Sequence, residues 1–296
     1  MHFGACLLFF GVFFFDRFAA SVVNRPGISG FWQARLRVIS LALLPLILVS
    51  GIAWFAIVAV TMSGQRLDAA ILKIVWTQTQ FGNVWKIRLL FLVVSIVLST
   101  FQRASSSTRE FAAWVETLAA GCLVASLAWA GHGQETSPWH LFADILHLLA
   151  AGIWPAGLLP LFLILRTALK VAEPENWPSI SRMVSRFSAI SLATVTLLAL
   201  TGVANSWYLV GSFSNLVGKP YGQWLLAKII LFCVAVTIAV VNLLWLKPRL
   251  AAARLQPARA AATARQLQIN AQFELLLGSA IIAIVAVLGI LPPAIE

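Results

Sequence analysis

Residues 131–166 read GHGQETSPWHLFADILHLLAAGIWPAGLLPLFLILR. From Pro138 onward the run is apolar, apart from His140, Asp144 and His147 near its beginning and Arg166 at its end. A helix needs about 20 predominantly apolar residues to cross the hydrocarbon core of a bilayer. The stretch therefore predicts a membrane-spanning helix that carries three ionisable side chains close to one end.

The composition extends this prediction to the whole chain. Of 296 residues, 60% are apolar and only 10% are charged, whereas about a quarter of the residues in soluble domains are charged. The formal net charge of +11 would suit a nucleic-acid-binding protein if the chain were soluble. Here the distribution of the basic residues follows membrane topology instead. We therefore expect the protein to lie in a lipid bilayer and not to bind nucleic acid.

Apolar runs of spanning length recur from one end of the chain to the other. They lie near residues 2–23, 37–61, 82–101, 110–131, 138–166, 186–210, 222–246 and 270–291. Backbone groups in lipid must be paired internally, and no run alternates as a barrel strand would, so these segments are predicted to be helices. We predict an all-α integral membrane protein with eight transmembrane helices, forming a single polytopic domain over residues 1–296.

Lys and Arg predict the orientation of this domain. One set of connections holds fifteen of the 21 basic residues, namely Arg17, Arg25, Arg35, Arg37, Arg103, Arg109, Arg166, Lys170, Arg182, Arg186, Lys247, Arg249, Arg254, Arg259 and Arg265. The opposite connections hold Arg66, Lys73 and Lys219, and the one around 131–137 has none. Since basic loops stay in the cytoplasm, both termini and the 131–140 segment are predicted to lie outside.

The two halves of the chain are similar in sequence. Four pairs match in the same order: His2 with His147, SGIA (50–53) with TGVA (201–204), TQFGNVWKIRLLF (79–91) with KPYGQWLLAKIIL (219–231), and Glu116 with Glu274. With four spans per repeat the two copies have the same orientation in the membrane. We predict a parallel four-plus-four duplication, with repeats of about 1–133 and 138–296.

The histidines are the candidate metal ligands. On a helix, His140, Asp144 and His147 project from one face, with His147 about 10 Å along the axis from His140. One ion cannot bridge two side chains at that separation, so either two sites lie in series or each histidine joins ligands from other helices. His132 ends the preceding span and His2 begins the first, on the same predicted side of the membrane.

The chemistry of these side chains favours a transition metal. Neutral imidazole binds copper, zinc and iron, and a carboxylate beside it can orient the ring. His140 is either a ligand or an interfacial polar residue, whereas the depth of His147 favours a function, since ionisable groups in a membrane are costly. Cys6, four residues after His2, can offer a soft ligand to Cu(I), although Cys6, Cys122 and Cys233 are interpreted first as small core residues.

Four further charged residues lie within the spans. Arg88 and Lys228 either pair with Asp144 or receive an anion such as a haem propionate or a lipid headgroup. Glu116 and Glu274, near the cytoplasmic ends, either pair with a nearby Arg or mark an inner exit for a cation. The residues alone leave these alternatives open.

The motifs together resemble the CopD/PcoD family of bacterial inner-membrane copper-resistance proteins. The resemblance rests on His2, FG-x-x-W-x-x-R (81–88), GHG (131–133), H-x-x-x-D-x-x-H-L-x-A-A-x-x-W-x-x-G-L-L-P (140–160), RFS (186–188) and YGQWLLAK (221–228). It implies eight spans in the inner membrane, a separate periplasmic copper-binding partner of the CopC type, and outer histidines at His2, His132, His140 and His147. The chain departs from the family pattern at Pro155.

Two functions of different classes follow from these residues. The leading one is a copper-handling protein, not an enzyme, that takes copper at His132 and His140, passes it to His147 with Asp144 and His2, and transports it across the membrane. The alternative is a haem b redox protein with the same histidines as axial ligands, as in the more distantly similar HemJ-like proteins. A third reading is a partner of periplasmic copper proteins without transport of its own.

Overall fold

The structure is a computed structural model that describes residues 1–23, 26–100, 106–130, 137–171, 173–253 and 256–295. Its α-helices are α1 (His2–Phe18), α2 (Pro26–Ser63), α3 (Ala69–Gln78), α4 (Gln80–Thr100), α5 (Ser106–Ala125), α6 (Pro138–Val171), α7 (Trp177–Val210), α8 (Phe213–Gly218), α9 (Pro220–Val241), α10 (Lys247–Ala252) and α11 (Pro257–Leu288). Short 3-10 turns lie at Ala20–Val22, Ser126–Ala130 and Pro174–Asn176, and a π-helical turn spans Asn242–Leu246. No β-strand occurs in these described ranges.

Among the described residues, eight helical segments are long and apolar enough to cross a membrane. They are His2–Val22, Gly27–Ser63, Gln80–Ser99, Glu110–Trp129, Pro138–Val171, Pro174–Val210, Pro220–Ala252 and Pro257–Leu288. The predicted all-α membrane fold with eight spans is therefore confirmed. Helices α2 and α11 begin well before the predicted spans, because a prediction from apolarity leaves out the segments that carry Arg35 in α2 and Arg259 and Arg265 in α11.

Helices α1 and α6 form the centre of the bundle. Helix α1 packs against α2, α5 and α6, and α6 packs in turn against α7 and α11. A Cβ on Gly11 would overlap the carbonyl oxygen of Gly152 and lie 2.5 Å from Ala156 Cβ, so the two backbones meet closely there. Small residues at such a crossing permit the packing that holds helices together in lipid.

Large apolar side chains such as Val49, Ile52 and Ile57 on α2 face outward, as expected where the solvent is lipid. Cys122 and Cys233 also lie on the outward surface, while Cys6 is buried. The interpretation of all three cysteines as buried core residues is therefore wrong for two of them. A small apolar thiol is as compatible with lipid as with a core, so composition does not separate the two positions.

A short helix precedes the matching aromatic-glycine pair in each half. A Cβ on Gly82 would overlap the carbonyl oxygen of Val75 in α3, and a Cβ on Gly222 would overlap that of Asn215 in α8. In both halves the glycine thus lets a spanning helix begin directly against the short helix before it. The four-plus-four duplication stays a prediction, and these local contacts correspond between the two halves.

Candidate metal sites

The first site surrounds His2, which is 7% exposed at the beginning of α1. Its Nδ1 lies 3.1 Å from Ser50 Oγ on α2, and its Nε2 lies 2.6 Å from Arg88 Nη2 on α4. A guanidinium only donates, so Nε2 accepts and the ring proton resides on Nδ1. That proton is donated to Ser50, whose own hydroxyl donates to the carbonyl of Leu46.

Arg88 contacts several residues of this first site. It is 2% exposed, and its Nη1 donates to Leu123 O at 3.1 Å and to Ser126 Oγ. The guanidinium also lies 5.6 Å from the ring centroids of Trp54 and Trp85. Its Nε has no hydrogen-bond partner, and no carboxylate among the described residues forms a salt bridge with it.

The surroundings of the His2 ring are tightly packed. The ring stacks on Trp54 at 5.3 Å and on Trp85 at 6.1 Å, and a Cβ on Gly51 would lie 2.7 Å from Trp85 and 3.1 Å from the His2 ring. The cavity beside His2 and Arg88 measures about 10 Å³, which is room for one water molecule. With both ring nitrogens hydrogen-bonded and no space for a macrocycle, the residues around His2 do not fit a haem.

The second site surrounds His147 on α6. Its Nδ1 lies 2.9 Å from Thr201 Oγ1 on α7, and that hydroxyl donates to Leu197 O at 2.6 Å. Since the threonine proton is used by Leu197, the ring must donate from Nδ1, which leaves the unshared pair on Nε2. No hydrogen bond to that Nε2 occurs within the described part of the chain. Next to Thr201, Gly202 lies against the same ring, and a Cβ added there would be in ordinary contact with His147 Cε1 at 3.6 Å.

Asp144 lies one turn from His147 and is joined to the same helix pair. Its Oδ1 accepts a hydrogen bond of 3.2 Å from Asn205 Nδ2 on α7. Lys228 on α9 acts electrostatically on both Asp144 and His147, although no direct salt bridge joins Lys228 to Asp144 in the described ranges. Of the open alternatives, Asp144 is therefore associated with Lys228 and not with Arg88.

His140 is 2% exposed and stacks on Tyr208 of α7, with ring centroids 4.6 Å apart. Its predicted partner His132 lies outside the described residues, so their pairing stays a prediction. Considering the described residues alone, no group of three or more His, Cys, Asp and Glu side chains is arranged to hold a metal ion. His2 and His147 lie at different helix interfaces, each with its own hydroxyl and basic residue.

The two buried glutamates lie away from these sites. Glu116 is 4% exposed, and the hydroxyl of Ser95 is the hydrogen-bonding group beside its carboxylate. Glu274, 2% exposed, accepts a hydrogen bond of 2.7 Å from Asn242, which in turn accepts one of 2.6 Å from Asn270. Neither glutamate forms a salt bridge with an Arg over the described ranges.

Sequence reasoning did not assign roles to Ser50, Thr201, Asn205 and Tyr208. For Ser50 and Thr201, the matching SGIA and TGVA segments were the sequence feature that pointed to a role, because each places a hydroxyl beside a glycine in the middle of an apolar helix. Only the packing of α2 on α1, and of α7 on α6, shows that each hydroxyl orients a histidine.

Two family profiles and several known proteins are similar to this chain. The family profile of Copper resistance protein D matches residues 181–288, and that of the Copper resistance protein D-like N-terminal domain matches residues 1–141. Copper resistance protein D of Pseudomonas syringae pv. tomato is 34% identical over 227 residues, covering 74% of this chain and 71% of that protein.

Two further relatives match over shorter stretches. Copper transport protein CutJ of Bacillus subtilis is 28% identical over 56% of this chain and 31% of its own length. Inner membrane protein YebZ of Escherichia coli is 27% identical over 58% of this chain and 57% of its own length. No solved structure matches. The identity and coverage shared with the Pseudomonas protein, and the two profiles matching opposite ends of the sequence, show that the chain belongs to the copper resistance protein D family.

Proposed function

We propose that this protein captures copper from the periplasmic side of the bacterial inner membrane and carries it across. The observation that supports this most is the His147 site. The hydrogen bond to Thr201 selects the tautomer of a buried imidazole and leaves its Nε2 unshared pair free for a metal ion. The carboxylate of Asp144, one turn away, provides a second ligand for an incoming cation.

The charges around Asp144 agree with a transient copper site. Lys228 offsets the carboxylate electrostatically while the site is empty of cations, which reduces the cost of keeping Asp144 within the membrane. An arriving copper ion competes with Lys228 for the same carboxylate. Such competition weakens binding, and a site that passes an ion onward must also release it.

The outer part of the proposed route consists of His140 with His132. His140 lies two turns from His147 on α6, and its ring is held flat against Tyr208. We propose that copper reaches these residues from a periplasmic copper-binding protein of the CopC type and then moves to His147 by ligand exchange. Two relatives support the choice of copper, since their names describe copper resistance and copper transport.

The decisive experiment is an absorption spectrum of detergent-purified protein, with copper and iron quantified on the same sample. We expect the wild-type protein to lack a Soret band and to retain copper. A His147→Gln variant is expected to lose the ion that is bound at the His147 site. A Soret band with stoichiometric iron would instead establish the haem b alternative. If the wild-type protein retains neither metal after loading with Cu(I), the remaining function is that of a partner of periplasmic copper proteins without transport of its own.

A matched pair of threonine variants tests the role of the hydroxyl. Thr201→Val removes the acceptor for His147 Nδ1, and loss of such an orienting partner lowers metal affinity about 10–100-fold. Thr196→Val changes the same residue type on the same helix, but Thr196 faces outward and its hydroxyl donates to Leu192 O of its own helix. Equal copper affinity in the two variants would contradict the assignment of His147 as the ligand.

A further inference from the structure

His2 and Cys6 are a second pair of potential metal ligands, separate from the His147 site. They lie one turn apart on α1, and the His2 Nε2 atom is 3.8 Å from Cys6 Sγ. Both are buried, at 7% and 1% exposure. Imidazole nitrogen and thiolate sulfur together suit Cu(I), for which sulfur is the preferred donor.

The separation of the two donor atoms fits a single shared ion. With metal–nitrogen and metal–sulfur distances of about 2.0 and 2.3 Å, an ion bound to both atoms at their present separation would have an N–metal–S angle of roughly 120°. That angle suits a bent two-coordinate or trigonal ion. No large backbone movement is needed to bring the donors together, because both already project from the same face of α1.

In the structure a cationic group of the protein lies against both of these donors. Arg88 Nη2 lies 2.6 Å from His2 Nε2 and 3.7 Å from Cys6 Sγ. One nitrogen of the guanidinium therefore contacts both atoms that would bind the ion. Its positive charge has no carboxylate counterpart among the described residues, so the site holds an uncompensated buried cation.

The rest of Arg88 is arranged so that this nitrogen can move. Nη1 is held by Leu123 O and Ser126 Oγ, whereas Nε has no hydrogen-bond partner among the residues that the structure describes. The cavity of about 10 Å³ lies directly beside His2 and Arg88. A small rotation about the Nη1 anchor would withdraw Nη2 from His2 without breaking the bonds to Leu123 and Ser126.

We propose that His2 and Cys6 form a Cu(I) site in which Arg88 occupies the position of the ion until copper arrives. This inference rests on the proposed copper-handling function and adds a second ligand pair, an oxidation state and a role for Arg88. Binding converts the Cys6 thiol and one Cu(I) ion into a copper thiolate and one released proton, with no electron transferred. The charge of the site is unchanged by this exchange.

The test is an anaerobic titration of full-length, detergent-purified protein with Cu(I) in competition with a colorimetric chelator. Because His132 and His140 only pass the ion on, we expect two ions per wild-type chain and one in Cys6→Ser, together with loss of the copper–sulfur scattering in X-ray absorption. Cys122→Ser and Cys233→Ser make the same change at outward-facing cysteines and are expected to keep both ions. Size-exclusion elution identical to that of wild type verifies the fold of each variant.

A second variant tests the role of Arg88 directly. Arg88→Gln removes the charge and shortens the group but retains a donor for Leu123 O, so we expect the affinity of the Cys6-dependent ion to rise at least tenfold. An unchanged affinity would overturn the proposal that Arg88 competes with copper.

The outcomes also separate this inference from the proposed function. If wild-type protein binds one ion that Cys6→Ser retains and His147→Gln loses, the His2–Cys6 site is ruled out and the proposed function stands. If Cys6→Ser loses both ions while eluting normally, the two sites are not independent and this inference is wrong. If wild-type protein binds no Cu(I), both proposals are rejected.

Discussion

A histidine in a membrane needs a partner for its ring proton, and here each of the two sites provides one from a neighbouring helix. Ser50 serves His2 and Thr201 serves His147, and both hydroxyls donate their own proton to a carbonyl of the preceding turn. Each hydroxyl therefore accepts from Nδ1 and directs the unshared pair to Nε2. The two sites differ in the hydrogen-bond partner of Nε2. At His2 this partner is Arg88, whereas at His147 no described residue takes that place.

Gly51, the glycine after Ser50, leaves room for the rings of His2 and Trp85, and its substitution tests this packing. In a Gly51→Ala variant the new methyl would lie 2.7 Å from Trp85 and 3.1 Å from His2. We expect a loss of about 1–3 kcal/mol of stability from overpacking, measured as a lower midpoint of thermal unfolding in detergent.

Gly30→Ala is the control for this variant, because it lies on the same helix with no atom within 4 Å of the added Cβ. There the change is expected to be neutral or to stabilise α2 by up to about 1 kcal/mol through helix propensity. A Gly51→Ala protein as stable as Gly30→Ala would mean that His2 and Trp85 can move aside freely.

At the scale of helices, the contact between α1 and α6 brings the two halves of the chain together. Gly11 on α1 faces Gly152 and Ala156 on α6, and Phe10 fills the space over Gly152. Small residues four apart let helix backbones approach closely and increase van der Waals packing, which drives association in lipid. His2 and His147 lie on these same two helices, so this crossing determines how the two sites are placed.

A Gly11→Ala variant tests this crossing. Its methyl would overlap backbone atoms of α6, which cannot rotate away as a side chain can, so the helices must separate. We expect the unfolding midpoint to fall, with a cost of about 1–3 kcal/mol. Gly4→Ala on the same helix adds a methyl at an ordinary distance of 3.6 Å from Ile282 and is expected to leave the midpoint nearly unchanged. Equal midpoints would argue against a close α1–α6 contact.

At the scale of the whole molecule, the proposed direction of copper movement depends on which end of each helix faces the periplasm. The basic residues concentrate at one end of the spans, including Arg166 and Lys170 at the end of α6 and Arg182 and Arg186 at the start of α7. By the positive-inside rule we expect this end to be cytoplasmic, which would place His140 and His147 in the periplasmic half.

Reporter fusions test this orientation. Alkaline phosphatase, which is active only outside the cytoplasm, should be active when fused after Ile295. It should be inactive when fused after Val171, at the end of α6. Green fluorescent protein at the same two positions is expected to give the reverse pattern. Active phosphatase at Val171 would invert the topology and with it the direction of copper capture.

The order of residues was sufficient to predict the class of fold and the helices. Lipid imposes the same requirement on every spanning segment, so runs such as 138–166 and 222–246 indicate helices without any knowledge of their neighbours. The local spacing of His140, Asp144 and His147 on one helix face was also predictable, because helical geometry relates residues that are close in sequence.

The partners of these residues depended on how the helices pack. The contacts of His2 with Ser50 and Arg88, and of His147 with Thr201, join residues far apart in sequence, between helices whose apolar surfaces give no strong preference for one neighbour over another. Hydrophobicity drives segments into the membrane but does not select which faces meet, since lipid and protein interior are similarly apolar. Close packing at small residues and the pairing of buried polar groups make that selection, and both exist only in the assembled bundle.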